Sequence, residues 1–312
     1  MSDVQVRTIE ERDLPEADRI FRLAFGTFLR LPDPLAFGGD SSFVRARFLA
    51  NPGAGFVATR GGEPVGSNFA VRWGSLGFFG PLSVRPDLWN GGVGRRLLDP
   101  VMALFERWGI RHAGLFTFAE SAKHVGLYGS YGFYPRFLTA IMSKAITAPP
   151  AATARWSRFS QGAPAAALAR CREITNALYD GLDLTDEIRA VATHGFGDTV
   201  LVEDGGRLAA FAVCHVGAGT EAGSDQCFVK FGAVRPGPDA SADFERLLDA
   251  CEAFAAGCGA GTVMGGTNLA REAAYRRMRA RGYRTVIQGV AMHRPNEPAY
   301  SRPDVFAIDD WR

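Results

Sequence analysis

The sequence predicts an α/β fold of the α+β kind, a mixed and mostly antiparallel sheet flanked by helices, repeated in two tandem copies. Three observations carry this. Apolar patterns along residues 1–148 read in the order β-α-α-β-β-β-α-β-α-β. Val84-Arg85-Pro86 returns as Val234-Arg235-Pro236, and Gly132-Phe133 returns as Gly282-Tyr283, both at an offset of 150 residues. A chain of 312 residues with 47% hydrophobic content is long enough for two cores. The expected units are 1–148 and 149–312.

Val4 to Thr8 alternates as a strand does. Asp13-Leu14-Pro15-Glu16 reads as a capped helix start leading into Ile20, Leu23, Ala24 and Phe25. Pro32, Pro34, Gly38 and Gly39 then mark a loop, followed by a short helix over Ser42 to Leu49. Gly55 to Thr59 and Pro64 to Arg72 flank Gly61-Gly62 as strand, tight turn and strand. Phe78 to Val84 continues the meander. A helix follows to about Trp108, then a strand from Ala113 to Ala119, a helix from Ser121 to Tyr131 and a strand from Arg136 to Ser143. Thr147 to Ala154, with Pro149-Pro150, reads as a linker.

The second half repeats this order. Gly205-Gly206 matches Gly61-Gly62 at an offset of 144, so six extra residues enter afterwards, in the Gly, Ser and Thr-rich stretch from Gly217 to Gln226. A tail from Arg294 to Arg312 outruns the repeat, and its Val305, Ala307 and Ile308 supply one extra strand.

Net charge is +2, from 35 basic and 33 acidic residues, which gives no pull towards nucleic acid or an anionic membrane. No signal pattern opens the chain and no apolar run is long enough to span a bilayer, so the expected location is cytoplasmic. All five cysteines lie in the second half without a CxxC pair, which reads as reduced, mostly buried thiols rather than a disulfide framework or a zinc site. Cys214-His215 reads as core rather than as a nucleophile pair, since strand neighbours face opposite ways.

Gly80 to Leu98 is the chemically distinctive stretch. A short strand runs through Pro86 into a glycine cluster and then into an amphipathic helix starting near Val93. Unpaired N–H groups of a first helical turn, the helix dipole and glycines that admit close approach make an anion cradle. Arg95 and Arg96 add full charges, and adjacent helix positions point them in different directions.

With Tyr128 four residues before Gly132-Phe133, the first half resembles the GNAT superfamily of acyl-CoA-dependent N-acyltransferases, in tandem form. That resemblance implies acetyl-CoA as co-substrate. The family's Q/R-x-x-G-x-G/A turn falls on Trp89, Asn90, Gly91, Gly92, Val93 and Gly94, with Trp89 in place of the leading Gln or Arg. It further implies that Leu82, Ser83 and Val84 pair with the pantetheine amides, that the cradle up to Arg95 and Arg96, with Ser121, holds the cofactor, and that Tyr128 protonates the departing thiolate. Glu120 is the candidate general base, with His124 behind it. A water chain in place of Glu120, and a packing role for Tyr128, stay open.

The acceptor is expected to be a small-molecule or peptide amine, and the chain a monomeric pseudo-dimer or a homodimer. At the equivalent turn of the second half Ala242 and Phe244 stand where Gly92 and Gly94 do, Asp239 and Asp243 add negative charge, and Met278 replaces Tyr128. Chemistry is therefore expected in the first half. This opposes assignment to the tandem mycothiol synthases, which keep the working site in the second. Asn268, Arg271 and Tyr275 read as a polar row on the helix before Gly282. The alternative function is a non-catalytic acyl-CoA-binding sensor or assembly module.

Overall fold

The computed structural model of the chain describes residues 4–147, 156–159 and 164–312. Apart from Thr147, the expected linker lies outside them. In the first half β1 (Val4–Thr8), α1 (Leu14–Phe28), α2 (Phe43–Ala50), β2 (Gly55–Arg60), β3 (Glu63–Trp73) and β4 (Leu76–Phe79) are followed by β5 (Ser83–Val84), α3 (Val93–Arg107), β6 (His112–Thr117), α4 (Ala122–Gly129) and β7 (Tyr134–Ala145). The second half runs through β8 (Trp156–Arg158), α5 (Ala165–Leu178), α6 (Thr185–His194), β9 (Gly197–Asp204) and β10 (Arg207–Gly217). It continues with β11 (Gly223–Val234), α7 (Ala240–Gly257), β12 (Thr262–Asn268), α8 (Glu272–Ala280), β13 (Arg284–Arg294) and the tail strand β14 (Ala307–Ile308).

The helices form where apolar residues recur at helical spacing. In α3, Val93, Leu97, Leu98, Val101, Met102, Leu104 and Phe105 all face the sheet and are buried. Burying a side chain of this size contributes about 1.5–3 kcal/mol. The start of α1 differs from the expected cap. Glu10 and Asp13 form the capping box of a short preceding turn, and the Asp13 carboxylate accepts from Arg7 at 2.6 and 2.8 Å.

The strands make one sheet in the order β1-β2-β3-β4-β6-β13-β7-β12-β11-β10-β9-β8. The last strand of each half has crossed to the other. β13 lies against β6 through Val290↔Thr117 to Arg294↔Ala113, while β7 lies against β12 through Thr262↔Ala145 to Asn268↔Thr139. β7 and β13 pair with each other at the centre. Each half's sheet is thus completed by the other's final strand.

Three of the four apolar cores among the described residues follow from this layout, the fourth lying between α1, α2 and the sheet. One lies under α3 in the first half and one under α7 in the second. The third joins the halves, with Trp73 and Phe78 packed against Leu182, Ile188 and Phe231. The Trp73 indole donates to Glu187 at 3.2 Å inside it. Among the described residues no helix is long and apolar enough to cross a membrane, and no group of three His, Cys, Asp or Glu could hold a metal ion.

Two expected elements are shorter than the pattern suggested. The strand read over Phe78 to Val84 is broken at Gly80 and Pro81 into β4 and β5, because proline offers no N–H to a ladder. The strand read to Ala119 ends at Thr117, which leaves Ala119 and Glu120 in a turn. The polar row does not form on one helix: Asn268 ends β12, Arg271 precedes α8 and Tyr275 lies within it. Arg271 is fully buried in an ion pair with Asp309, and its guanidinium lies over the Tyr300 ring.

Candidate functional site

The break in the fourth strand creates the site. β4 and β6 run parallel and pair at Leu76↔His112, Gly77↔Ala113 and Phe78↔Gly114. After Gly80-Pro81 the chain leaves β6 but stays on β3, through Gly66↔Val84 and Ser67↔Ser83. Gly66 permits this, because a Cβ there would stand 2.6 Å from the Ser83 carbonyl oxygen. Between the diverging strands lies a cavity of about 1130 Å³, at the upper end of what small-ligand sites span.

The glycine turn stands at one end of this cavity. Asn90 and Gly92 have φ of 65° and 79°, left-handed values that Asn and Gly tolerate best. Alternation of left- and right-handed residues ahead of a helix turns successive amides to one side, an anion-binding nest. The N–H groups of Asn90, Gly92, Val93, Gly94 and Arg95 donate to no acceptor among the described residues, whereas Gly91 donates to the Leu88 carbonyl at 3.2 Å. A side chain at Gly92 would meet nothing within 4 Å, so the turn is open to a ligand.

Leu82, Val84, Trp89, Asn90, Gly92, Val93, Gly94, Arg95, Glu120, Ser121 and Tyr128 all line the cavity. Ser83, Gly91 and Arg96 do not. Ser83 is buried with its Oγ 3.3 Å from that of Ser67, and Arg96 donates to the Val4 carbonyl at 2.6 Å. Trp89 braces the turn, donating from its indole to the Val84 carbonyl at 2.7 Å, while the Lys123 ammonium sits 5.3 Å from its ring centre.

Tyr128 is buried against Phe79, ring centres 5.6 Å apart. Burial pushes its phenol well above the ordinary value, so it keeps its proton at any working pH. Ser121 caps α4, its Oγ accepting from the His124 amide at 3.4 Å. Glu120 is exposed at the cavity mouth. His124 is lowered by its own burial and by Lys123, opposed by Glu120, which favours the neutral imidazole near neutral pH. Its ring lies 5.2 Å from that of Phe28.

The second half contributes residues that the motifs did not indicate. Glu221, Gln226, Met264, Gln288, Trp311 and Arg312 reach the same cavity. Glu221 is fully buried beneath it, paired to Arg47 at 2.7 Å and to Lys230 at 2.8 Å. Burial alone would raise its carboxyl, but Arg47 and Lys230 overcome that and hold it far below the usual range. Arg47 also donates to the Gly80 carbonyl at 3.0 Å, at the point where the strands part. A buried Arg and a buried Glu far apart in sequence were the available signals, yet nothing in the pattern paired them.

At the equivalent place in the second half the cleft is filled by the chain itself. Gln226↔Thr262 and Phe228↔Met264 repeat Leu76↔His112 and Phe78↔Gly114 at the same offset of 150. Where the strands of the first half then diverge, those of the second enclose β14, through Gly232↔Ile308, Ala233↔Ala307 and an Asp309 amide bonded to the Gly266 carbonyl at 2.9 Å. Asp243 turns back to Arg246 at the head of α7. Cys214 is fully buried beside Cys227 and Cys251, whose thiols push its own well above the ordinary value, so it is no nucleophile.

A parallel strand pair that parts beside a glycine-led helix is the architecture of the GNAT fold. Residues 18–133 match the model of the Acetyltransferase (GNAT) family. The match stops one residue before β7, the strand that crosses over. The sequence matches no curated protein significantly.

Similar solved structures include a protein from Pyrococcus horikoshii, 15% identical over 100% of this chain and 96% of that one, with a TM-score of 0.70. A GCN5-related N-acetyltransferase from Sphaerobacter thermophilus is 14% identical, covering 94% and 96%, with a TM-score of 0.63. One from Kribbella flavida is 16% identical, covering 93% and 70%, with a TM-score of 0.53. At such identity the likeness is one of fold, and it extends over both halves.

Proposed function

We propose that the protein is an acyl-CoA-dependent N-acetyltransferase with its site in the first half, acting on a primary amine by direct attack. The observation that carries this reading is the contrast between the two clefts: the one beside the glycine turn stands open, and the other is filled by the chain's own β14. The tail strand in the second cleft supports an extended ligand in the first, pairing with the diverging strands.

Bound there, acetyl-CoA would supply an acetyl group activated as a thioester. The amides of Asn90 and of Gly92 to Arg95 bind the diphosphate, and Arg95 adds a charge from the same side. Leu82 and Val84 align the pantetheine arm. Tyr128 holds a proton on its hydroxyl for the departing sulfur, since burial keeps the phenol neutral until negative charge develops beside it. His124, neutral near pH 7, or water relayed past Glu120 accepts the proton of the amine. The second half braces the cleft through Arg47 and Glu221 and walls its far side.

Acetyl-CoA is expected to raise the melting temperature of the protein, and Gly92→Asp with Gly94→Asp is expected to abolish that rise. Equal binding by the double variant would sink the assignment of the turn. Release of free thiol in the presence of an amine separates a transferase from a protein that only binds acyl-CoA.

A further inference from the structure

The far arm of the cavity has an unusual lining. Phe25 and Phe28 of α1, Phe37 of the following loop, Phe43 of α2, and Phe116 and Phe118 at the end of β6 all face it, and all six are half-buried. In a folded chain such rings go into the core, so six of them left partly open to one cavity mark a binding surface. They form a continuous wall. Phe25 and Phe37 stack with ring centres 5.4 Å apart at 20°, Phe28 lies 5.0 Å from Phe118, and Phe116 lies 6.3 Å from Phe118. The His124 ring, 5.2 Å from Phe28, ends the row.

The wall is held in place. Arg22, anchored on Asp18 at 2.6 Å, donates to the carbonyls of Phe37, Gly39 and Ser41, and Asp40 accepts from the Ser224 amide at 2.7 Å and from its hydroxyl. The loop is thereby fastened to both α1 and the second half. Charge in the cavity is also divided. Arg95 and Lys123 stand at the cradle end, while Asp40, held by Ser224 with Arg22 beside it, and Glu120 line the cavity, and Arg312 is paired to Asp310 at 3.3 Å.

We propose that the acceptor is an arylalkylamine, a primary amine on a short tether from one aromatic ring. The ring stacks within the phenylalanine wall, which favours aromatic partners in offset or edge-on contact. The amine, cationic in water, is drawn to the Asp40 and Glu120 side, and its tether leaves it beside His124. This rests on the transferase reading above.

The test compares thiol release from acetyl-CoA with 2-phenylethylamine, spermidine and a short peptide bearing an N-terminal alanine, alongside the acetyl-CoA-induced melting shift. Burial of one phenyl ring predicts a kcat/KM for 2-phenylethylamine about 30-fold or more above the other two. Phe28→Ser should raise the KM for 2-phenylethylamine by about tenfold, change kcat less, and keep the acetyl-CoA melting shift. A normal shift with spermidine or the peptide preferred overturns the arylalkylamine alone. So does a preference for octanoyl-CoA over acetyl-CoA that Phe28→Ser removes, which would give the wall to the acyl chain. Absence of any shift overturns the transferase reading, and this proposal with it.

Discussion

Arg47 and Glu221, 174 residues apart in sequence, meet at 2.7 Å as a fully buried ion pair, and the same guanidinium holds the Gly80 carbonyl at 3.0 Å. One side chain of α2 therefore ties the second half of the chain to the spot where β4 and β5 separate. Removing it leaves Glu221 with Lys230 as its remaining cation and frees the Gly80 carbonyl. Arg47→Met is expected to cost about 3–5 kcal/mol in urea denaturation. Acetyl-CoA binding should weaken as well, because the angle of the cleft loses its support.

His112 and His293 face each other across β6 and β13 with ring nitrogens 3.0 Å apart, both buried. Burial lowers them to about 4 and about 3, the second also through the first. Against an ordinary value of 6.5 the unfolded chain binds more protons between those limits. The stabilisation is complete above pH 6.5 and is lost as pH falls towards 4, by about 1.4 kcal/mol per unit for each histidine that must charge. Denaturation midpoints measured from pH 7 to pH 4 should fall accordingly. In His112→Leu with His293→Leu that slope should flatten.

A second acid transition is expected lower. Glu187 would be raised by burial, but Lys230 and His215 bring it down to about 2 against an ordinary 4.5. A depressed carboxyl stabilises above its unfolded value and loses that contribution as pH drops through the folded one. The double histidine variant should therefore still lose stability below about pH 4.5.

Tyr128→Phe tests the proton donor. The ring packing on Phe79 is kept, so the acetyl-CoA melting shift should remain, while kcat should fall by about 10²-fold. An unchanged kcat would return Tyr128 to a packing role.

Ile308 of β14 is buried in the second cleft against Gly232 and Gly265. Ile308→Ala should lower stability by about 2–5 kcal/mol in thermal or urea denaturation. The acetyl-CoA shift should stay, because the open cleft lies in the other half.

Much of the fold was legible because it is local. Helical spacing gave α3, Gly61-Gly62 gave the β2–β3 hairpin, and the constant offset of 150 reappears in the matching registers of β4 on β6 and β11 on β12. The glycine turn was readable too, and its Gly92 takes the left-handed backbone that glycine accepts best. What escaped depends on contacts far apart in sequence. Alternation shows that Tyr134 to Ala145 is a strand but not which edge it joins, so the crossing of β7 and β13 left no trace in the pattern. Asp13 looked like a cap until Arg7 was seen to take its carboxylate. The phenylalanine wall was hidden for a like reason: a Phe at helical spacing reads as core unless the cavity beside it is known.

The crossed strands set the order in which the molecule can be made. β6 has β4 of its own half on one side but finds its other neighbour only in β13, and the His112 to His293 contact spans 181 residues. On the ribosome, the first half can collapse around α3 but cannot close its sheet until nearly the whole chain has emerged. Such distant pairing is slow to form. The cleft that β6 flanks is thus finished among the last parts of the protein, although its glycine turn is translated in the first third.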